Sequence, residues 1–159
     1  MTGPITIRTA QLADAQVVCE FNLRLARETE QLELDPERVL AGVSALLADP
    51  GKGIYFIAEV DGVVAGQLMI TYEWSDWRNG RIWWLQSVFV REECRRSGVF
   101  RVLFDHVSAL ARAQPELRGL RLYMHADNVR ARQTYERLGM EPTPYEVFEL
   151  AFASTAGGP

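Results

Sequence analysis

Arg95, Arg96, Gly98 and Arg101 stand together where an apolar run gives way to an amphipathic one, in Val88-Phe89-Val90-Arg91-Glu92-Glu93-Cys94-Arg95-Arg96-Ser97-Gly98-Val99-Phe100-Arg101. The stretch reads as a strand, a short loop and the first turn of a helix. The first N–H groups of a helix have no partner within it, and its dipole favours negative charge at that end. A glycine there lets the backbone approach a ligand closely, and arginines supply countercharge. The arrangement predicts a site for phosphate or pyrophosphate. No Gly-Lys-Ser/Thr follows Gly98, which excludes a Walker loop, and one glycine of three leaves the Rossmann fingerprint unmet. The competing reading of this stretch alone is a solvated, arginine-rich turn before an ordinary helix.

A second segment carries polar residues at helical spacing. Asn128, Ala131 and Tyr135 lie at i, i+3 and i+7 and share one helix face. The preceding strand is expected to neighbour the strand that feeds the anion loop, so this face is expected to look into the same cleft. Taken singly, Asn128 reads equally as a helix N-cap and Tyr135 as a core or rim tyrosine.

The elements that must position these residues follow from periodicity. Strands are expected at 5–8, 55–60, 63–72, 81–90, 119–125 and 143–152. Helices are expected at 11–29, from Asp35-Pro36 to about residue 47, at 98–113 and at 128–138, with Gly139 closing the last. Asp61-Gly62 between two apolar runs predicts a tight hairpin, and 73–81 a polar loop holding tryptophans. The order is β-α-α-β-β-β-α-β-α-β. One helix joins the strands at 81–90 and 119–125, so they should be parallel, while the earlier strands form an antiparallel meander. The fold class is therefore α/β in the wide sense, a mixed sheet with helices packed on it. The chain has 159 residues, 48% of them hydrophobic and 24% charged, which suits one domain over 1–153 and a disordered tail over 154–159. A net charge of −4 argues against non-specific nucleic-acid binding. No apolar run reaches membrane-spanning length, and the first residues lack the basic and apolar regions of an export signal. Two distant cysteines, Cys19 and Cys94, make neither a disulfide framework nor a metal motif, so the expectation is a metal-free protein in the reducing cytoplasm.

Arg95-Arg96-Ser97-Gly98-Val99-Phe100 resembles the Q/R-x-x-G-x-G/A signature of the GNAT N-acetyltransferase superfamily. Residues 127–140, from Asp127-Asn128 through Tyr135 to Gly139-Met140, resemble its N-x-x-A-x-x-x-Y-x-x-x-G-[FM] motif. The element order matches over residues 5–152. The resemblance implies a GNAT-like acyltransferase fold, acetyl-CoA as co-substrate and an amine as acceptor. It implies that Ser87, Val88, Phe89 and Val90 lie along the pantetheine arm, with Val88 and Val90 foremost. It implies that Arg95, Arg96, Ser97, Gly98, Val99, Phe100 and Arg101 cradle the pyrophosphate, that Asn128 touches the pantetheine or phosphate region, and that Tyr135 lies near the sulfur. Phe100 departs from the small residue of the signature, which puts the detailed pyrophosphate geometry in question.

The chemistry expected is direct attack of a neutral amine on the thioester in a ternary complex. Backbone donors polarise the carbonyl, and Tyr135 acts as acid for the leaving thiolate. Cys94 reads as a bystander. The glutamate that some family members carry on the strand before the signature is missing from Ile82-Trp83-Trp84-Leu85-Gln86. Candidate bases are Glu28, Glu30, Glu33, Glu73 or a water chain, with Glu73 and Glu30 the two weak choices. Trp74, Trp77, Trp83 and Trp84 form either an aromatic wall for a cationic acceptor or a packing or homodimer surface. The acidic run Glu28, Glu30, Glu33 and Asp35 leans toward a cationic amine, or is solvated surface. The alternatives are a non-catalytic acyl-CoA-binding regulatory domain on the same fold and a phosphate-binding module unrelated to CoA.

Overall fold

The structure, a computed structural model, describes residues 3–152. The tail expected to be disordered at 154–159 lies outside them. The described residues fall into two compact units, one reaching to Leu122 and one beginning at Tyr123.

The first unit is a five-stranded sheet in the order β1-β2-β3-β4-β5. Its elements are β1 (Ile5–Thr9), α1 (Ala15–Glu30), α2 (Pro36–Leu47), β2 (Ile54–Val60), β3 (Val63–Ser75), β4 (Gly80–Val90), α3 (Val99–Arg112) and β5 (Leu117–Arg121). β1 to β4 are antiparallel neighbours, and β4 pairs with β5 in parallel. The mixed sheet is the one the sequence predicts. Its local signals act as expected. Asp61 and Gly62 both take positive φ (53° and 76°) between Val60 and Val63, the conformation a two-residue hairpin requires. Asp35 caps α2 by accepting the Glu37 N–H at 3.0 Å, with Pro36 at the first helical position.

Side-chain alternation on β2 assigns the helices to faces. Tyr55 and Ile57 join Val18 of α1 and Val43 of α2 in one apolar cluster. Phe56, between them, meets His106 of α3 edge-on at 5.5 Å. The sheet therefore carries α1 and α2 on one side and α3 on the other. Val99, Leu103 and Val107, one turn apart on α3, are fully buried, as are Phe21, Ile57, Leu68 and Ile70.

Arg8 ties β1 to the turn before α1. It donates to both carboxylate oxygens of Asp14 at 2.8 Å and to Glu59 at 2.8 Å. The Arg8 hydrogen bond holds the Asp14 carboxyl below its ordinary 3.8, so this contact contributes stability above that value and loses it as pH falls through the lower folded value. Arg8 is partly exposed, so Asp14→Asn should cost only about 1 kcal/mol at neutral pH, with the difference from wild type closing below roughly pH 4. Urea unfolding of both proteins at pH 7 and pH 3.5 checks this. An equal gap at the two pH values would remove the ion pair from the account.

The second unit holds α4 (Val129–Arg137). Asn128 caps it by accepting the Ala131 N–H at 3.0 Å. Gly139 takes φ 82° just past its end, the Gly139 N–H reaches the Glu136 carbonyl, and the Met140 N–H reaches the Tyr135 carbonyl. This is a Schellman ending, as the glycine predicts.

Three boundaries differ from expectation. β5 ends at Arg121 and not at residue 125. The tryptophan-bearing loop shrinks to residues 76–79, because β3 and β4 extend as a long hairpin. The strand expected at 143–152 is not formed. Its apolar positions change phase between Val147 and Phe148, so no single face could be buried, and Pro142 and Pro144 remove ladder donors at its start. Tyr145, Val147, Phe148, Leu150 and Phe152 are 70–89% exposed.

Candidate functional site

β4 and β5 pair only over a short stretch, from Arg81↔Leu117 to Trp84↔Arg121. Beyond Trp84, residues 85–90 of β4 have no β5 partner among the described residues. Half of a central strand thus presents a free edge. Val88, Phe89 and Val90 lie on it.

The same stretch is bulged. Met69 pairs with Gln86 and Gln67 with Phe89, so Ser87 and Val88 share the place opposite Leu68. Ser87 takes φ 47°, in the left-handed region that non-glycine residues seldom occupy. Gly66 makes room for the bulge, since a Cβ there would lie 2.8 Å from the Phe89 carbonyl oxygen.

β4 then runs into the arginine loop. The Arg91 N–H bonds the Ala65 carbonyl, a short 3-10 turn follows over Glu92–Cys94, and the Ser97 hydroxyl donates to the Cys94 carbonyl at 2.6 Å. Gly98, at φ 92°, is the N-cap of α3, and no side chain caps that helix start. A Cβ on Gly98 would meet nothing within 4 Å, so the space before the first turn of α3 is open. Val99 is buried beneath it. Phe100 lies 6.1 Å from Phe104 by ring centroids, which gives the bulky signature residue a place along α3.

The arginines divide by role. Arg95 is committed within the protein: it pairs with Glu28, donates to the Val90 carbonyl at 2.9 Å and lies 5.6 Å from the centre of the Phe89 ring. Arg96 and Arg101 are exposed and make no ion pair among the described residues, so their positive charge is uncompensated at this helix start. The Cys94 thiol is buried and unpaired in a disulfide, consistent with packing.

Other predicted residues are placed as follows. Glu73 accepts from the Trp84 indole at 2.6 Å and from Arg121 at 3.0 and 3.1 Å, joining β3, β4 and β5 at the last paired rung before the strands part. Glu33 pairs with Arg27, and Asp35 is the α2 cap. Of the acidic run this leaves Glu30, exposed at the end of α1 and in no ion pair among the described residues. The tryptophans do not act as one wall: Trp83 is in the core, Trp84 serves Glu73, and Trp74 and Trp77 are exposed. A cleft of about 600 Å³ opens between α1 and α2, with Glu20, Leu23, Glu37, Leu40 and Arg91 among its lining residues. In the second unit, the Asn128 side-chain oxygen caps α4. Burial raises the Tyr135 phenol above its ordinary 10, so it is protonated at neutral pH.

Sequence reasoning missed one polar cluster under the bulge. Gln67 is fully buried, and its Nε2 donates to Asn22 Oδ1 at 2.7 Å and to the Ser87 carbonyl at 3.2 Å. Asn22 Nδ2 donates to the Tyr55 hydroxyl at 2.9 Å. The only signal available was a lone glutamine inside the apolar run of β3.

An unpaired strand edge leads through a loop to an uncapped helix start, an arrangement that leaves backbone N–H groups available to an extended, anionic ligand. Residues 16–140 match the model of the acetyltransferase (GNAT) family. A possible acetyltransferase from Clostridium difficile 630 is 42% identical, with a TM-score of 0.88 over 94% of this chain and 98% of that one. Two more distant structures share the fold, each at 17% identity. One is a predicted acetyltransferase with acetyl-CoA from Clostridium acetobutylicum (TM-score 0.75, 93% and 96% of the two chains). The other is a ribosomal-protein-alanine N-acetyltransferase from Brucella melitensis biovar Abortus 2308 (TM-score 0.74, 94% and 100%). No curated protein matches the chain. The chain belongs to the GNAT acetyltransferase family. It is an acyltransferase, of a family that transfers acyl groups from acetyl-CoA.

Proposed function

We propose that this enzyme is an N-acetyltransferase that moves the acetyl group of acetyl-CoA directly to a primary amine, either a small cationic metabolite or a protein or peptide amine. The observation that carries the reading is the continuity of the free β4 edge with the open, uncapped start of α3. The edge suits the amide-bearing pantetheine arm through strand-like hydrogen bonds. The α3 N–H groups, with Arg96 and Arg101 beside them, suit the pyrophosphate.

In the proposed reaction the neutral amine nitrogen attacks the thioester carbonyl carbon. Backbone N–H groups of the bulged β4 edge take up the charge developing on oxygen. The tetrahedral intermediate collapses by breaking the C–S bond, and Tyr135, held protonated by burial, gives its proton to the sulfur. The ammonium proton leaves to water or to Glu30, which unlike Glu73 makes no ion pair among the described residues. Glu20 and Glu37 in the cleft between α1 and α2 favour a cationic acceptor there.

Incubation with acetyl-CoA and a panel of primary amines, basic peptides and alcohols tests this, with mass spectrometry of the acceptors. Acetylated amines with unmodified alcohols are expected. Bound acetyl-CoA with no acetylated amine would make the chain an acyl-CoA-binding regulatory domain instead.

A further inference from the structure

The polar cluster beneath the β4 bulge is costly for the fold. Ser87 holds a left-handed φ of 47° without being glycine, at about 1–2 kcal/mol by its type. Gln67 is fully buried among apolar residues, and its Oε1 has no hydrogen-bond partner among the described residues. An apolar residue at position 67 would avoid that second cost, since an unsatisfied buried group is worse than none. What the glutamine does is specific: one amide nitrogen spans the half-buried Asn22 of α1 and the Ser87 carbonyl on β4. Asn22 in turn donates to the Tyr55 hydroxyl at 2.9 Å. The Ser87 carbonyl is thereby held from below by a hydrogen-bonded chain of three side chains, Gln67, Asn22 and Tyr55, from β3, α1 and β2, which braces one strained residue.

The cluster sits where β4 has no β5 partner among the described residues, so the backbone it orients is on that unpaired edge. We infer that Gln67 and Asn22 are positioning residues that lock Ser87 in its left-handed conformation and so aim the bulge's backbone donors at the reacting carbonyl. This rests on the acetyl-transfer reading given above. They touch neither substrate and act through Ser87. Their effect therefore falls on the rate of transfer and not on the affinity for acetyl-CoA.

Gln67→Met keeps the volume and removes both amide hydrogen bonds. Three readouts on the full chain separate the possibilities: acetyl-CoA affinity by calorimetry, kcat per acetyl-CoA-binding site, and the NMR coupling constant that reports φ at Ser87. We expect Ser87 to leave the left-handed region, kcat to fall roughly 30-fold and acetyl-CoA affinity to change less than about threefold. Asn22→Ala, at the half-buried end of the cluster, should lose about tenfold in kcat and serves if Gln67→Met fails to fold. Asn22→Asp keeps the acceptor for Gln67 and should recover most of that loss. A retained left-handed Ser87 in the variants, or a kcat that stays at wild-type level when Ser87 relaxes, overturns the inference. So does a matched loss of affinity and kcat, which would mark a purely structural role. Wild-type protein that binds acetyl-CoA but acetylates nothing overturns the transfer reading itself, a result distinct from all of these because it appears before any substitution is made.

Discussion

Gly98→Val is expected to weaken acetyl-CoA binding about 100-fold while leaving the protein folded. Two costs converge at this position. The backbone sits at φ 92°, where a β-branched residue is strained, so the loop would relax and the first N–H groups of α3 would turn away from their present direction. The new side chain would also project into the open space before the helix, which no protein atom occupies within 4 Å of the added Cβ. Losing two charge-assisted hydrogen bonds to phosphate at ~1.5 kcal/mol each amounts to ~3 kcal/mol, and that corresponds to roughly 100-fold in affinity. Because a Cβ at this position meets no atom within 4 Å beyond its chain neighbours and the helix backbone, thermal unfolding should move by only a few degrees, as a backbone strain of about 1–2 kcal/mol implies. Gly98→Ala should fall between the two proteins. Titration calorimetry with acetyl-CoA beside a thermal melt separates binding from stability. An affinity within threefold of wild type would mean that the start of α3 holds no phosphate.

Tyr135→Phe should lower turnover by about 100-fold, the scale on which a positioned general acid acts, with acetyl-CoA affinity nearly unchanged. The pH dependence sharpens this. Burial lifts the phenol above its ordinary 10, so the wild-type acid stays protonated throughout pH 7 to 9, and its own titration should cause no decline in that window. The defect in the variant should therefore be present at pH 7 and at every point up to pH 9. Steady-state kinetics across that range, with the amine saturating, provides the check. Turnover equal to wild type across the window would assign the proton to another donor.

Much of the frame was legible because the deciding signals are local. Asp35-Pro36 starts α2, Asp61-Gly62 turns the hairpin and Gly139 closes α4 by backbone requirements that tertiary context did not override. The apolar stripe of α3 carries its burial in its spacing, and the continuous apolar run of β2 marks a strand covered on both faces. The strand-loop-helix junction at Gly98 was readable for the same reason, since glycine readily takes the positive φ that this helix start requires. What stayed hidden is pairwise and distant. Glu28 and Arg95 are sixty-seven positions apart, and nothing in either segment says that the arginine is committed to an ion pair. Glu73 looked available as a base until Trp84 and Arg121 were found on its oxygens. Gln67, Asn22 and Tyr55 lie on three different elements, and the bulge that brings them to Ser87 is a register shift with no sequence signature of its own. The strand expected at 143–152 failed for the opposite reason: residue types suited to strands outweighed the change of phase at Phe148.

The decisive measurement is a calorimetric titration of the full chain with acetyl-CoA, with ATP as the control, followed in the same sample by free-thiol release on adding primary amines. Saturable binding of acetyl-CoA, weak or absent binding of ATP, and thiol release that depends on the amine are predicted. Equal binding of both ligands, or no binding of acetyl-CoA at all, would contradict the assignment of the β4 edge and the α3 start to this co-substrate.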